Sequence, residues 1–292
     1  MTFVKRQLQF IITLASGNFA GTSGNVLTLP PLRATTKIVK AGGASMGKLQ
    51  ASIYGMTFSH MNQLSTLGQQ IQLIARNKIT VLAGDAKAGM SIVFQGTITD
   101  AYGDFNSAPN VPMQFTAAEG AAEAVATIPA TSYKGSVDIN TVMAGFAKQI
   151  GYVYETSVPA SFLPNVYYSG APFTQIRACA EAYGVACSLD NGILAVWPRT
   201  GARNSTPTVV SPTTGMIAYP SFTAQGIKVQ TTFNPAIRFA SKIQVKSSLP
   251  AACGIWSVFT MEHDLDSQEP NGKWQSTLGC YNPANPTPPV TY

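Results

Sequence analysis

The stretch PFTQIRACAEAYGVACSLDNGILAVWPR, residues 172–199, predicts a helix followed by a β-hairpin. Its apolar residues recur at helical spacing up to Gly184, where the helix is expected to end. Two apolar runs then flank the sequence DNG, which is typical of a tight hairpin turn. Residues 138–155 (DINTVMAGFAKQIGYVYE) repeat the plan, with Gly151 between a helix and a short strand. Two such units in tandem predict a small α/β domain with its helices on one face of a sheet.

Strand-rich sequence flanks this domain on both sides. In the first third of the chain, runs that alternate apolar and polar residues are separated by Gly, Asn and Asp, as in strands. In that third only residues 59–70 have a helical pattern, and Ser59 is suited to be the N-cap. The apolar stripe of this helix consists of Met61, Leu64, Leu67 and Ile71. The last third alternates like strands again from residue 216, so the sequence predicts an α+β fold that is mainly β.

The changes in pattern divide the chain into three predicted domains. These are a strand-rich domain with one packed helix at 1–118, the small α/β domain at 119–203, and a second strand-rich domain at 204–292. Residues 198–215 are rich in Pro, Ser, Thr and Gly and are expected to form a linker or long loop. The tail from residue 282 is rich in proline, so we expect it to be extended and ordered only against a partner.

The N-terminal sequence loosely imitates a secretory signal but is better explained as a strand. Residues 6–14 (RQLQFIITL) begin with alternating polar and apolar side chains, and the apolar run after them is too short for a signal peptide. No run anywhere approaches the roughly 18 apolar residues that a membrane-spanning helix needs. We therefore expect no membrane insertion.

The composition favours assembly with other subunits. Charged residues make up only 11% of the 292 residues, well below the share usual in soluble proteins. The net charge of +6 comes mainly from residues 1–118. No run of Lys and Arg exceeds two residues, which indicates scattered surface charge rather than a nucleic-acid site.

One glycine-rich stretch has the spacing of a phosphate-binding loop. Residues 42–48, GGASMGK, match GxxxxGK, but Leu49 stands where that loop needs Ser or Thr. The sequence that follows alternates like a strand, whereas phosphate is held at the start of a helix. The stretch is therefore expected to join two strands and to bind no nucleotide.

Acids and histidines give no clear site. In residues 262–267, EHDLDS, the three acids would share one face of a strand, with His263 and Leu265 on the other. Calcium usually takes about six oxygens from a wrapped loop, so we expect a polar, solvent-facing strand edge instead. His60 and His263 lie in no nucleophile-elbow or zinc-protease motif. Paired carboxylates could serve a glycosidase, but the sequence alone does not place such a pair, and only thirteen acids are present.

The cysteines also predict no site. None of the four has a partner at metal-type spacing, and Cys179 and Cys187 are expected to be small buried hydrophobic side chains. We therefore predict no catalytic, cofactor-binding or metal-binding residue, no cofactor and no enzymatic activity.

The order of these elements resembles that of the baseplate hub proteins of contractile-tailed phages, a group that includes Mu-like hubs and the hub half of VgrG spike proteins. The resemblance runs through most of the chain, to about residue 280. It rests on four stretches in order: GGASMGKLQASIYGMTFSHMNQLSTLG (42–68), VFQGTITDAYGDFNSAPNVPMQF (93–115), LDNGILAVWPR (189–199) and GIWSVFTMEHDLDSQEPNGKW (254–274).

The resemblance implies a homotrimeric ring with a central channel. Each subunit would give two β-barrel tube-type domains that flank the small α/β domain, and six barrels would match the hexameric tail tube. The other end of the ring would receive the trimeric central spike, other baseplate subunits would surround it, and phage DNA would pass through transiently. Residues 52–68 would then be a barrel strand with its packed helix. The implied location is the virion tail baseplate, after assembly in the host cytoplasm.

Two other classes stay open. A distal tail or tube-initiator protein would share the fold class but form a hexamer, and a carbohydrate-binding adhesin is favoured by the Tyr and Trp content. For a hub, cations such as Arg33, Lys37 and Lys40 are expected to point away from the DNA channel, towards neighbouring tail proteins. Lys37 and Lys40 should lie on opposite faces of a regular strand.

Overall fold

The structure, a computed structural model, describes residues 5–21, 23–41, 46–65, 76–85, 87, 89–203 and 206–282. These residues form strands, four α-helices and two 3-10 helices, at Phe105–Ser107 and Pro250–Ala252. The α-helices are α1 (Phe58–Leu64), α2 (Ala121–Val125), α3 (Ile139–Ile150) and α4 (Pro172–Ala182). The strands are β1 (Arg6–Thr13), β2 (Val26–Thr28), β3 (Ala34–Ala41), β4 (Lys48–Tyr54), β5 (Lys78–Asp85), β6 (Gly89–Gly103), β7 (Pro112–Ala118), β8 (Thr131–Ser132), β9 (Ser136–Asp138), β10 (Val153–Thr156), β11 (Phe162–Pro164), β12 (Tyr167–Tyr168), β13 (Val185–Asp190), β14 (Ile193–Pro198), β15 (Thr208–Val210), β16 (Ser221–Thr223), β17 (Gly226–Thr232), β18 (Lys242–Val245), β19 (Gly254–Ser267) and β20 (Trp274–Tyr281).

The chain divides into two units. Unit 1 comprises residues 1–39, 47–121 and 262–276, and unit 2 comprises 40–46, 122–261 and 277–292. The predicted α+β, mainly β fold class is confirmed. The predicted three-domain division at residues 118 and 203 stays a prediction.

Unit 1 is built on an antiparallel sheet. Its strand order is β2-β1-β5-β6-β7-β4-β3, followed by β19. The strands alternate buried and less buried residues because only one face is covered by the core. Phe10 lies opposite Val81, and both side chains are buried. The first strand, β1, is where the sequence predicts it.

The helix of unit 1 begins two residues earlier than the sequence suggests. Thr57, not Ser59, is the N-cap, and its hydroxyl accepts a hydrogen bond from the backbone N–H of His60. Both residues suit a cap, and the chain turns helical at Phe58. Of the predicted apolar stripe, Met61 and Leu64 are buried, while Leu67, Ile71 and the predicted helix end lie outside the described residues.

Unit 2 contains two hydrophobic cores. The first lies among α3, α4 and the three-stranded sheet β10-β14-β13, and includes Phe146, Ile176 and Leu194. The second lies in the strands from β15 onward, in the order β16-β17-β20-β19-β18-β15, and includes Val229, Ile243 and Leu278. The smaller pairs β9–β11 and β8–β12 complete the unit.

The two helix–glycine–strand repeats are confirmed. Gly151 ends α3 with a left-handed backbone, at a φ of 74° that glycine adopts without strain. Asn191 and Gly192 form the turn between β13 and β14, and both have positive φ, as this hairpin turn requires.

The linker expected at 198–215 is partly a strand, so that prediction is wrong in part. Within it, β15 pairs in parallel with β18, which lies more than thirty residues later in the sequence. None of the helices in the described part of the chain is long and apolar enough to cross a membrane.

Candidate functional site

The histidine at the start of α1 is part of the scaffold of unit 1. Its ring meets the ring of Phe19 edge-on, with 5.9 Å between centroids. Ser59 is exposed on the same turn. The contacts of His60 are those of a packed helix end, as the sequence predicts.

The second histidine is buried in unit 1. Nδ1 of His263 and the hydroxyl of Ser276 share a hydrogen bond of 2.7 Å. Glu262, Asp264 and Asp266 alternate with the buried residues of β19, as predicted. However, β19 lies between β3 and β20, so the expectation of a strand edge is wrong. Burial raises the pKa of Asp266.

No cluster of candidate metal ligands appears in the described part of the chain. None of its groups of His, Cys, Asp and Glu is arranged to hold a metal ion. The glycine-rich loop joins β3 to β4, and Leu49 belongs to a strand, as predicted. Residues 42–45 of that loop lie outside the described residues.

The cysteines are free thiols. Cys179 is buried and Cys187 is half-buried, and burial raises the pKa of each to about 12. Such thiols stay protonated at neutral pH and are poor nucleophiles. Cys253 is exposed, and its sulfur exchanges hydrogen bonds with the backbone of Ser247.

The densest arrangement of charges in unit 2 is a network, which we call the ion cluster, of Lys40, Glu155, Asp190, Arg203 and Arg238. At its centre Asp190 accepts hydrogen bonds from Lys40 Nζ and Arg203 Nη1. All three of these side chains are almost completely buried.

A second carboxylate extends the ion cluster towards the surface. Arg203 donates two hydrogen bonds to the carboxylate of Glu155, of 2.8 Å and 3.1 Å. Arg238 donates a third hydrogen bond to the same carboxylate, at 2.8 Å. Glu155 lies on β10 of the α/β part, whereas Arg203 and Arg238 flank the second core. The ion cluster therefore links the α/β part of unit 2 to the part that contains its second hydrophobic core.

The pKa values of the ion cluster follow from its geometry. Burial alone would raise the pKa of Asp190, but the charges of Lys40 and Arg203 outweigh it and hold that pKa well below its usual range. Burial opposes ionisation of Glu155 as well, and hydrogen bonds from Arg203 and Arg238 leave its pKa lowered. Both acids are therefore charged at neutral pH.

The ion cluster predicts a specific dependence of stability on pH. Because the pKa of Asp190 is lower in the folded chain, its contribution is complete above the unfolded value of about 3.9 and is lost as pH falls towards the folded value. Denaturant unfolding from about pH 7 down to pH 2 should therefore show a steeper loss for the wild type than for Asp190→Asn. If the wild type and Asp190→Asn lost the same stability over this pH range, Asp190 would not contribute to stability through its lowered pKa.

The three cations singled out from the sequence all have acidic partners within the chain. Lys40 is buried in unit 2, so its predicted place at an interface with neighbouring proteins is wrong. In unit 1, Arg33 pairs with Glu269 and lies 4.5 Å from the ring centroid of Tyr54. Lys37 pairs with Glu262 at 2.8 Å. Lys37 is exposed and Lys40 is buried, so the two do lie on opposite faces of β3.

Sequence reasoning missed the ion cluster, although one signal was present. Lys40 continues the buried row of Ala34, Thr36 and Ile38 along β3, and a lysine in such a row needs a buried anion. Arg203 gave no comparable signal because it lies in a stretch that looks like a loop.

Large apolar side chains are exposed on both units. In unit 1, Phe58 and Phe105 meet edge-on with 5.9 Å between ring centroids. Tyr102, near the end of β6, is also exposed. In unit 2, Tyr219 and Phe222 are exposed on the hairpin that contains β16. A contiguous exposed apolar patch is a common mark of a protein–protein contact, whereas a single exposed apolar side chain is not.

Several solved structures have a fold similar to that of this chain. A tail protein from Neisseria meningitidis MC58 matches with a TM-score of 0.62 and 9% identity, over 94% of this chain and 96% of the other. The 43 kDa tail protein of prophage MuSo2 from Shewanella oneidensis gives 0.59 and 9%, over 94% and 97%. An Escherichia coli component of the type VI secretion system, c3393, gives 0.59 and 8%, over 92% and 76%.

The sequence itself matches a family. No curated protein matches the sequence of this chain. The match to the baseplate hub gp41 family extends over residues 28–277, which is most of the chain and includes the ion cluster, α1 and most of both β-rich regions. This chain belongs to the baseplate hub gp41 family and is a structural component of a phage tail.

Proposed function

We propose that three copies of this chain form a ring that joins the hexameric tail tube to the trimeric central spike and surrounds the DNA channel. The observation that carries this proposal is the presence of two β-rich regions in one chain, one in each unit. If each closes as a barrel with its neighbours, three copies supply six barrels against six tube subunits.

The surface chemistry supports assembly. Charged residues make up only 11% of the chain, and aromatic side chains are exposed on both units. A protein that stays alone in solution normally covers such positions with charge. Contacts with copies of itself, with tube and spike, and with other baseplate subunits would bury them.

The relatives support a place in a contractile injection apparatus. Two are named as tail proteins, and the c3393 protein is described as similar to the phage T4 tail proteins gp27 and gp5. We infer that this chain acts in the virion baseplate, after assembly in the host cytoplasm. Its role is structural, as expected of a member of a baseplate hub family.

The copy number of the ring tests the proposal. Quantitative mass spectrometry of purified tails should give equal numbers of this chain and of the central spike protein, because both would be trimers. Twice as many copies of this chain would favour a hexameric distal tail or tube-initiator protein and would contradict the proposal.

The paired cations lead to a prediction about DNA. Because Arg33 and Lys37 already neutralise acids of the same chain, the assembled ring should bind duplex DNA weakly, with little dependence on salt. Fluorescence anisotropy with labelled DNA at low and physiological salt measures this. Tight binding that weakens steeply with salt would show that the channel grips DNA.

A further inference from the structure

Two end strands leave one side of their backbone unpaired in the described part of the chain. In unit 1, β2 pairs only with β1, and in unit 2, β16 pairs only with β17. An end strand presents a row of free N–H and C=O groups that another strand can extend.

These two strands lack two of the usual protections against such pairing, namely charged residues and proline. Neither contains a charged residue or a proline, and no Asp, Glu, Lys or Arg occurs between Arg6 and Arg33 or between Arg203 and Lys228. Other end strands are protected: Glu155 lies on β10, Asp138 on β9 and Pro164 on β11.

The other end of the unit 2 sheet is already covered. Strand β15 ends in the buried Val210. The hydroxyl of Thr214 bonds the carbonyl of Val209 at 3.0 Å. By contrast, the side chains around β16 face solvent, with Tyr219 69% and Phe222 59% exposed.

We propose that β16 of one copy pairs with β2 of the next copy. The occupant is a second copy because this chain supplies both halves of the contact, namely two uncharged, unpaired edges with exposed apolar side chains. Val26, 51% exposed, gives β2 an apolar surface to meet that of β16. Because the two edges differ, the contact is head-to-tail and repeats around a ring. The inference rests on the proposed function.

The lengths of the strands define which residues meet. Each strand has three residues, so full antiparallel overlap sets Val26 opposite Thr223 and Leu27 opposite Phe222. Directly opposed side chains in antiparallel strands have Cβ atoms about 5 Å apart. Val26 and Thr223 are both exposed, so substitutions there should leave the fold intact.

Cross-linking in tail particles tests the pairing. The chain would carry Val26→Cys and Thr223→Cys together with Cys253→Ser, which removes the exposed native thiol, and would be treated with a short bismaleimide. We expect a ladder of covalent dimers and trimers, and none from either single cysteine variant. Val26→Cys with Ser221→Cys tests parallel pairing, and a ladder from that variant instead would also support the contact.

Other outcomes would overturn the inference. Dimers from Thr223→Cys alone would show that two copies of β16 meet, and links to the tube protein would show a different occupant. An absence of links in tails whose ring holds three copies would overturn the pairing and leave the proposed function standing. A ring with another copy number would instead contradict the proposed function.

A series of charged substitutions tests the same contact without a cross-linking reagent. Val26→Glu and Thr223→Lys should each reduce assembly into tails, because each buries an unpaired charge, and the double variant should restore it. Thermal unfolding of each purified variant confirms that it is folded. If the double variant assembles no better than the singles, the two positions do not meet.

Discussion

Replacing Asp190 with alanine should lower the free energy of unfolding by about 3–5 kcal/mol, the largest effect expected from a single polar substitution in this chain. The carboxylate is buried between Lys40 and Arg203, and its removal leaves both cations in the interior without their shared anion. Urea unfolding of the purified protein at neutral pH measures the loss.

A partly exposed ion pair in the other unit provides the control. Glu269 pairs with the partly exposed Arg33, and Glu269→Gln should leave the stability close to that of the wild type because water screens the pair. Equal losses from Asp190→Ala and Glu269→Gln would show that burial does not set the strength of the ion cluster.

Truncation of Leu64 to alanine should destabilise the protein by roughly 2–5 kcal/mol, as removal of a buried leucine side chain does. Leu64 is almost completely buried in the last turn of α1, beside the buried Met61. Thermal or urea unfolding of the variant tests this.

His60 lies one turn earlier on the same helix and serves as the control. It is only partly buried, so His60→Ala should change the stability by no more than about 1 kcal/mol. Loss of infectivity in a folded, assembled His60→Ala hub would show that this histidine has a functional role.

Local patterns predicted much of the fold because the responsible forces act between near neighbours. The alternation in β1 reports a sheet with one buried face, and the DNG turn fixes the β13–β14 hairpin within a few residues. The apolar stripe of α3 likewise ends at Gly151, because this glycine adopts the left-handed backbone that ends the helix. The start of α1 was misplaced because Thr57 and Ser59 are equally good caps.

Non-local pairing was harder to predict. The sequence of β19 alternates correctly, but nothing in it shows that β3 and β20 lie on either side, so a central strand looked like an edge. Strand β15 was hidden in a Pro- and Thr-rich stretch because its partner β18 is distant in sequence.

The ion cluster shows the same limit at the level of side chains. Arg203 meets Glu155, 48 residues away, and Lys40 meets Asp190, 150 residues away. Such contacts exist only once the chain is folded. Composition alone nevertheless predicted the role in assembly, because the scarcity of charge describes the surface as a whole.

Electron cryomicroscopy of intact tails tests the central proposal most directly, by counting the copies of this chain in the ring between tube and spike. We predict three copies, each of which contributes two β-rich regions that together face six tube subunits. A ring of six identical copies, or density without a three-fold repeat at that position, would contradict the account.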